Sequence, residues 1–371
     1  MITLFIFFIF LSCVRQDTSG LSNDALSIGQ ITKTFSTDIT DRNYGVERDM
    51  MLQIWYPAKG TAKSAKRASY YPHLPLLLEN GLISEDDYRQ IKQFAVKSIA
   101  DADYNSSSKR PLILFSPALG GSTANYTFFA EKLVEAGYLV VGVNHQFESE
   151  YILNSRDEII NSNLSFHDSL KTLSIPDQIT ADQYRIEKTK RMDVLAGDII
   201  FALNQLKHEA IAELIDFDRI AFFGHSFGGG VVTSAAVNDA LSNTIRLIIN
   251  LDGTPPTLTD QQQLKSAYAF IEDITDFKNH QGYKKQYERR NAFCEAIANK
   301  SYRIMIEGIQ HNSFSDTHFY SETDHQERKK AEDQLMLIFN YMRSLFDTYL
   351  LEKPDNIAET ETDTLIIKTF N

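Results

Sequence analysis

The chain has 371 residues, of which 43% are hydrophobic and 23% charged, and it carries a formal net charge of −12. This composition supports a large buried core, and an acidic balance without a basic stripe argues against nucleic acid and against electrostatic docking on anionic lipid. Two cysteines cannot build a disulfide framework, and no His/Cys/carboxylate cluster has ligand spacing, so neither a metal nor a cofactor is expected.

Ile2 to Val14 is a nearly unbroken apolar run, too short for a bilayer span of roughly twenty residues. It reads as an export signal, followed by the polar stretch Arg15–Asp24. Leu11-Ser12-Cys13 resembles a loose bacterial lipoprotein box, which makes Cys13 a candidate lipid attachment point and membrane tether and leaves Cys294 unpaired. The expected location is therefore exported, as a periplasmic or outer-membrane lipoprotein or a secreted protein. The expected organisation is a signal at 1–13, a polar linker at 14–27, a single folded domain at 28–352 and a tail of unassigned role at 353–371.

Ile28–Phe35 and Met51–Tyr56 read as edge strands, followed by a basic loop from Lys59 to Lys66. Residues 71–108 read as an insertion, helical over Ser84–Ile99. A rhythm of apolar strands then begins at Pro111–Phe115 and continues at Tyr138–Val143, Arg219–Phe223, Ile245–Leu251, Tyr268–Ile271 and Tyr302–Ile306. Most are continuous rather than alternating, as strands buried on both faces of a parallel sheet must be. Between them lie helical patterns at Tyr126–Ala136, Arg185–Leu206 and Arg328–Leu350. The second carries Ile186, Leu195, Ile199, Ile200, Leu203 and Leu206 on one face. The alternation predicts an α/β fold, a mostly parallel central sheet flanked by helices. Leu365–Phe370 has the composition of a short additional strand.

In a parallel sheet the chemistry belongs at the carboxyl ends of the strands. One such end reads Gly224-His225-Ser226-Phe227-Gly228 and runs directly into a helix-compatible Gly/Val/Ala segment. That is the strand–turn–helix setting of a nucleophile elbow, with Ser226 as nucleophile. A serine hydroxyl needs a base oriented by a carboxylate. His311 follows the strand Tyr302–Ile306 through a short loop and is the candidate base. His225 is expected to pack or line the pocket, and His318 and His325 are expected at the surface. The acid is either Asp252, after Ile245–Leu251, or Glu272/Asp273, at the end of Tyr268–Ile271; both orders satisfy Ser, acid, His. The oxyanion donors are expected from the Phe227 amide and the loop Ser116-Pro117-Ala118-Leu119-Gly120-Gly121. His145, at another strand end, is a candidate buttress.

Four blocks carry a resemblance: Leu52-Gln-Ile-Trp-Tyr-Pro57; Leu114-Phe-Ser-Pro-Ala-Leu119-Gly120; Gly224-His-Ser226-Phe-Gly-Gly229 with Ile249-Asn-Leu-Asp252; and Gly308-Ile-Gln-His311-Asn-Ser-Phe314. Over roughly residues 45–350 the chain resembles the plasma-type platelet-activating-factor acetylhydrolases and their bacterial relatives, an α/β-hydrolase family. The resemblance implies an α/β-hydrolase fold with insertions around the active site, a Ser226–Asp252–His311 triad, and Leu119 and Phe227 as oxyanion donors. The family usually has His-Gly where this chain has Pro117-Ala118. The segment Gln263–Lys300 is longer than usual, as a pocket cover would be. The implied activity is a serine esterase acting on short-acyl esters or acetylated or oxidised phospholipids. A general short-chain carboxylesterase, a polyester or glycan esterase, and a catalytically silent binding module are the alternatives.

Overall fold

The computed structural model describes residues 27–60, 66–172, 178–259, 261–275 and 281–371. The apolar run Ile2–Val14, with Cys13, and most of the Lys59–Lys66 loop lie outside the described residues. Among those residues no helix is long and apolar enough to cross a membrane.

The strands in chain order are β1 (Ser27–Asp41), β2 (Val46–Ala58), β3 (Ile99–Ala100), β4 (Arg110–Ser116), β5 (Leu139–His145), β6 (Tyr151–Leu153), β7 (Ile159–Asn161), β8 (Ile215–His225), β9 (Ile245–Leu251), β10 (Ala267–Asp273), β11 (Ser301–Ile306), β12 (Thr360–Glu361) and β13 (Leu365–Phe370). Eleven of them form one sheet in the order β12-β13-β11-β10-β9-β8-β4-β5-β2-β1-β3, while β6 and β7 form a separate hairpin. The run from β11 to β5 is parallel throughout. Antiparallel strands flank it on both sides, β2 against β5 and β13 against β11.

Alternation within the buried strands sends neighbouring residues to opposite layers. Leu112, Leu114, Ile220 and Phe222 pack under the helices Gln178–Leu206 and Phe227–Ala236, through Leu195, Ile199, Leu203, Val231 and Ala235. Ile113, Phe115, Ala221 and Phe223 face the helices Thr127–Glu135 and His325–Leu351, through Phe129, Leu133, Ile338, Met342 and Phe346. The sheet is thus covered on both faces, which is why its central strands are mostly apolar rather than alternating.

Three sequence readings change, and the strand expected at Leu365–Phe370 gains a place in the sheet. β2 is not an edge strand, because it pairs along its length with β1 and with β5, and Met50–Tyr56 are buried. The insertion helix is shorter than Ser84–Ile99. Ser84 caps a helix over Glu85–Ile91 in a reciprocal box with Asp87, and Ile99 is drawn into the parallel bridge of β3 with Gly29. Ile186 is 44% exposed rather than on the core face of its helix. The segment after residue 352 extends the sheet, since β13 zips onto β11 from Ser301↔Phe370 to Ile306↔Leu365.

Asp316, five residues after His311, ties the loop carrying that histidine to two other segments. It is fully buried and accepts hydrogen bonds from the Tyr70 hydroxyl at 2.5 Å and the Phe128 amide at 2.6 Å. Its own amide donates to the Asn125 carbonyl at 2.8 Å. Burial pushes its carboxyl up from 3.8 to about 7. The folded state therefore binds a proton that the unfolded chain releases above 3.8, so this contribution to stability is full below 3.8 and is lost as pH rises to about 7. In Asp316→Asn the decline in melting temperature across that interval should flatten, as differential scanning fluorimetry at a series of pH values would read; an unaltered slope would remove Asp316 from the account.

Candidate active site

β8 and the helix Phe227–Ala236 meet at Ser226, whose φ of 55° and ψ of −118° place it outside the ordinary regions for an L-residue. Two glycines make room for this turn. A Cβ on Gly224 would strike the Gly228 backbone, and one on Gly228 would strike the carbonyls of Ser116 and Pro117. The elbow thus packs backbone to backbone against the start of the loop after β4.

His311 enters from the short 3-10 turn His311–Phe314 beyond β11. Its Nε2 is 2.9 Å from Ser226 Oγ and its Nδ1 is 2.7 Å from Asp252 Oδ2. A carboxylate only accepts, so Nδ1 carries the proton and donates to Asp252, leaving Nε2 to accept from the serine hydroxyl. The imidazole is 48% exposed and the carboxylate 13%, so the ring opens to the cleft while the carboxylate lies beneath.

Of the two positions left open by the sequence, Asp252 faces the histidine. It follows β9 with φ of 50°, its amide bonded to the Ile271 carbonyl at 2.9 Å. Glu272 is buried and is held by Arg303 at 2.7 and 2.8 Å and by Arg290 at 2.5 Å. Burial works to raise its carboxyl, and the Arg290 and Arg303 guanidiniums outweigh that and hold it below the usual range. Asp273 lines the cleft and accepts from the Thr275 amide at 2.7 Å. Arg290 itself escaped sequence reasoning. It lies on the helix Gln281–Ala296 and donates to Asp252 Oδ1 at 3.0 Å, so each oxygen of Asp252 has its own donor. Nothing in that polar helix marks this residue, because its partners are distant in sequence.

The loop after β4 leaves one amide for an oxyanion. The Ala118 amide donates to Tyr126 Oη at 3.0 Å, Gly120 to the Glu148 carbonyl at 2.7 Å and Gly121 to the Ala118 carbonyl at 2.9 Å. The Leu119 amide between them has no internal acceptor among the described residues, nor does that of Phe227 at the helix start. His225 lies beneath, with Nδ1 accepting from Tyr126 Oη at 2.8 Å and its ring 4.8 Å from that of His311. Burial, then the neighbouring His311, push it down to about 3, so it stays neutral and does not compete for the proton. His145 buttresses the other side. Its Nε2 is 3.0 Å from Ser116 Oγ and its Nδ1 2.8 Å from Asp198. Asp198 pairs in turn with Arg48 in a buried ionic network joining Asp41, Arg191 and Glu148. That Ser116–His145–Asp198 chain is buried. His318 and His325 take no part in the site; His318 is exposed beside Glu322. Cys294 is buried, and burial raises its thiol to about 12.

Above Ser226 the cleft has a volume of about 340 Å³, and its wall includes Lys188, Asp273, Tyr287 and Arg290 besides Ser226, Asp252 and His311. The segment Gln263–Lys300, expected over the pocket, supplies Gln286, Tyr287 and Arg290 to that wall.

The family model described as "Platelet-activating factor acetylhydrolase, isoform II" matches residues 36–323. The chain belongs to this family. A probable 1-alkyl-2-acetylglycerophosphocholine esterase of Arthroderma benhamiae is 32% identical over 146 residues, 38% of this chain and 31% of the relative. The platelet-activating factor acetylhydrolase of Canis lupus familiaris is 27% identical over 244 residues, 59% of this chain and 52% of the relative. The matched regions thus span at most about half the length of these curated relatives. A solved ferulic acid esterase from Streptomyces cinnamoneus superposes with a TM-score of 0.72 at 19% identity, covering 92% of this chain and 96% of that one. Its likeness bears on the fold, and the family member's mostly parallel sheet with flanking helices is that of an α/β-hydrolase.

Proposed function

We propose that this family member is a serine carboxylic ester hydrolase working through an acyl-enzyme. The observation that carries the reading is the linear hydrogen-bond relay from Ser226 Oγ through His311 to Asp252, at 2.9 and 2.7 Å. In it Ser226 attacks the ester carbonyl while His311 Nε2 takes the hydroxyl proton. The tetrahedral oxyanion is held by the Leu119 and Phe227 amides, which have no internal acceptor among the described residues. His311 then returns the proton to the departing alcohol, and water repeats the sequence on the acyl-enzyme. Asp252 keeps the imidazole in the competent tautomer and stabilises the imidazolium.

The relatives' names point to an acetyl ester of a glycerophospholipid, and we extend the proposed substrate class to other short acyl esters and oxidised phospholipids. Export, with Cys13 as the lipid attachment point, is proposed from residues 1–26 alone.

A graded ester panel tests the reading. Wild type and Ser226→Ala would be compared on p-nitrophenyl acetate, butyrate and octanoate and on an sn-2 acetyl phospholipid. Serine-dependent release of acetate from the phospholipid is the expected result. Turnover of the simple esters alone would make the chain a general short-chain carboxylesterase. No serine-dependent turnover of any member would overturn the enzyme reading in favour of a silent binding module.

A further inference from the structure

Lys188 is a cation in the cleft with no anion of its own. It lies on the helix Gln178–Leu206, half-buried, and shares the cleft wall with Ser226 and His311. Its Nζ stands 5.7 Å from the ring centroid of Phe227, the residue directly after the nucleophile, and 6.0 Å from that of Tyr184. Among the described residues no carboxylate comes within ion-pair or hydrogen-bond distance of it.

The carboxylates nearby are engaged elsewhere. Asp252 is shared between His311 and Arg290, and Glu272 between Arg290 and Arg303. Asp273 accepts from the Thr275 amide and has a further partner. On the same helix Glu187 is paired with Lys190 at 2.8 Å. Burial pulls the Lys188 ammonium below the usual lysine range, with no charged group opposing it. Withdrawing an ammonium from water without a counter-charge is unfavourable, and two aromatic faces recover only part of that cost. A charged ligand group would supply what the fold leaves out.

We infer that Lys188 is a specificity residue that reads an anionic group, carboxylate or phosphate, carried by the ester a few bonds from its carbonyl. The inference rests on the esterase reading above and adds the charge of the substrate to it. The anion has two possible sources: a carboxylate at the far end of the acyl chain, or a phosphate on the alcohol side.

The test measures kcat/KM for two matched pairs with the purified full-length chain. One pair is the p-nitrophenyl monoester of adipic acid against p-nitrophenyl hexanoate. The other is an acetylated alkylglycerol phosphate against the same acetylated alkylglycerol without phosphate. Lys188→Met should lower the anionic-to-neutral ratio about tenfold to a hundredfold, the range of a charge-assisted hydrogen bond. The pair in which it falls identifies the source. Lys188→Arg should keep most of the preference, and the exposed Lys190→Met should leave it unchanged. An unaltered ratio in both pairs would overturn the inference. A parallel loss on both members of each pair would do so too, because a merely structural or general electrostatic role acts on every ester alike. Failure of the esterase reading looks different: wild type would then turn over the neutral esters no faster than Ser226→Ala.

Discussion

Ser226→Ala should lower kcat on p-nitrophenyl butyrate by about a millionfold, His311→Ala by a similar factor, and the double variant by no more than either alone. The reason is that nucleophile and base act as one unit. Without His311 the Ser226 hydroxyl has no acceptor for its proton, since the next imidazole, His225, directs Nδ1 to Tyr126 Oη and is buried. Without Ser226 the histidine has nothing to activate in the attacking position. Residual turnover should come from the Leu119 and Phe227 amides and from substrate positioning. His318→Ala, which alters an exposed side chain beside Glu322, should leave kcat at the wild-type value. Single-turnover measurement of acyl-enzyme formation separates these cases, and an equal loss in His318→Ala and His311→Ala would overturn the base assignment.

Asp252→Asn should cost about ten-thousandfold in kcat, against little change in Asp273→Asn. The size follows from the neighbours of the carboxylate. Arg290 donates to Oδ1 and His311 Nδ1 to Oδ2. In the amide, Arg290 can be met only by the oxygen, because a guanidinium has no acceptor. The amide nitrogen is then turned towards His311 and donates to Nδ1, which places the ring proton on Nε2, facing Ser226. The base is filled with the proton it should accept. Asp273 meets neither residue, so its amide substitution should be nearly silent. Parallel kcat measurements on the two variants, with far-ultraviolet circular dichroism to confirm folding, decide between the two acids; a large loss confined to Asp273→Asn would reverse the assignment.

Much of this architecture was legible in residues close together in sequence. Ile245–Leu251 reads as a strand and is one to the residue, because its apolar run, broken only by Arg246 and Asn250, ends where Asp252-Gly253 turns the chain. Gly224-His225-Ser226-Phe227-Gly228 reads as an elbow because the tight turn excludes a Cβ at both glycines. The helices Thr127–Glu135 and His325–Leu351 begin and end within three residues of the apolar periodicities that announce them.

Local pattern did not choose the acid, because Asp252 and Glu272/Asp273 both end neighbouring strands; the family resemblance singled out Asp252, and the fold brings it against the loop from β11. Local pattern did not pair the helpers either. Arg290 meets Asp252 across 38 positions and His145 meets Asp198 across 53, separations at which no local pattern survives. β13 was readable as a strand, yet its place on β11 was not, since an edge pairing depends on which strand is left open. By itself, then, the sequence indicated most of the sheet's strands, the elbow and the candidate serine and histidine, all of which follow from short-range periodicity and turn sterics. Only the tertiary structure placed the Asp252 carboxylate against His311, left the Leu119 and Phe227 amides without an internal acceptor among the described residues, and set Lys188 in the cleft without a counter-charge among them. Each of those depends on distances between segments that only packing brings together.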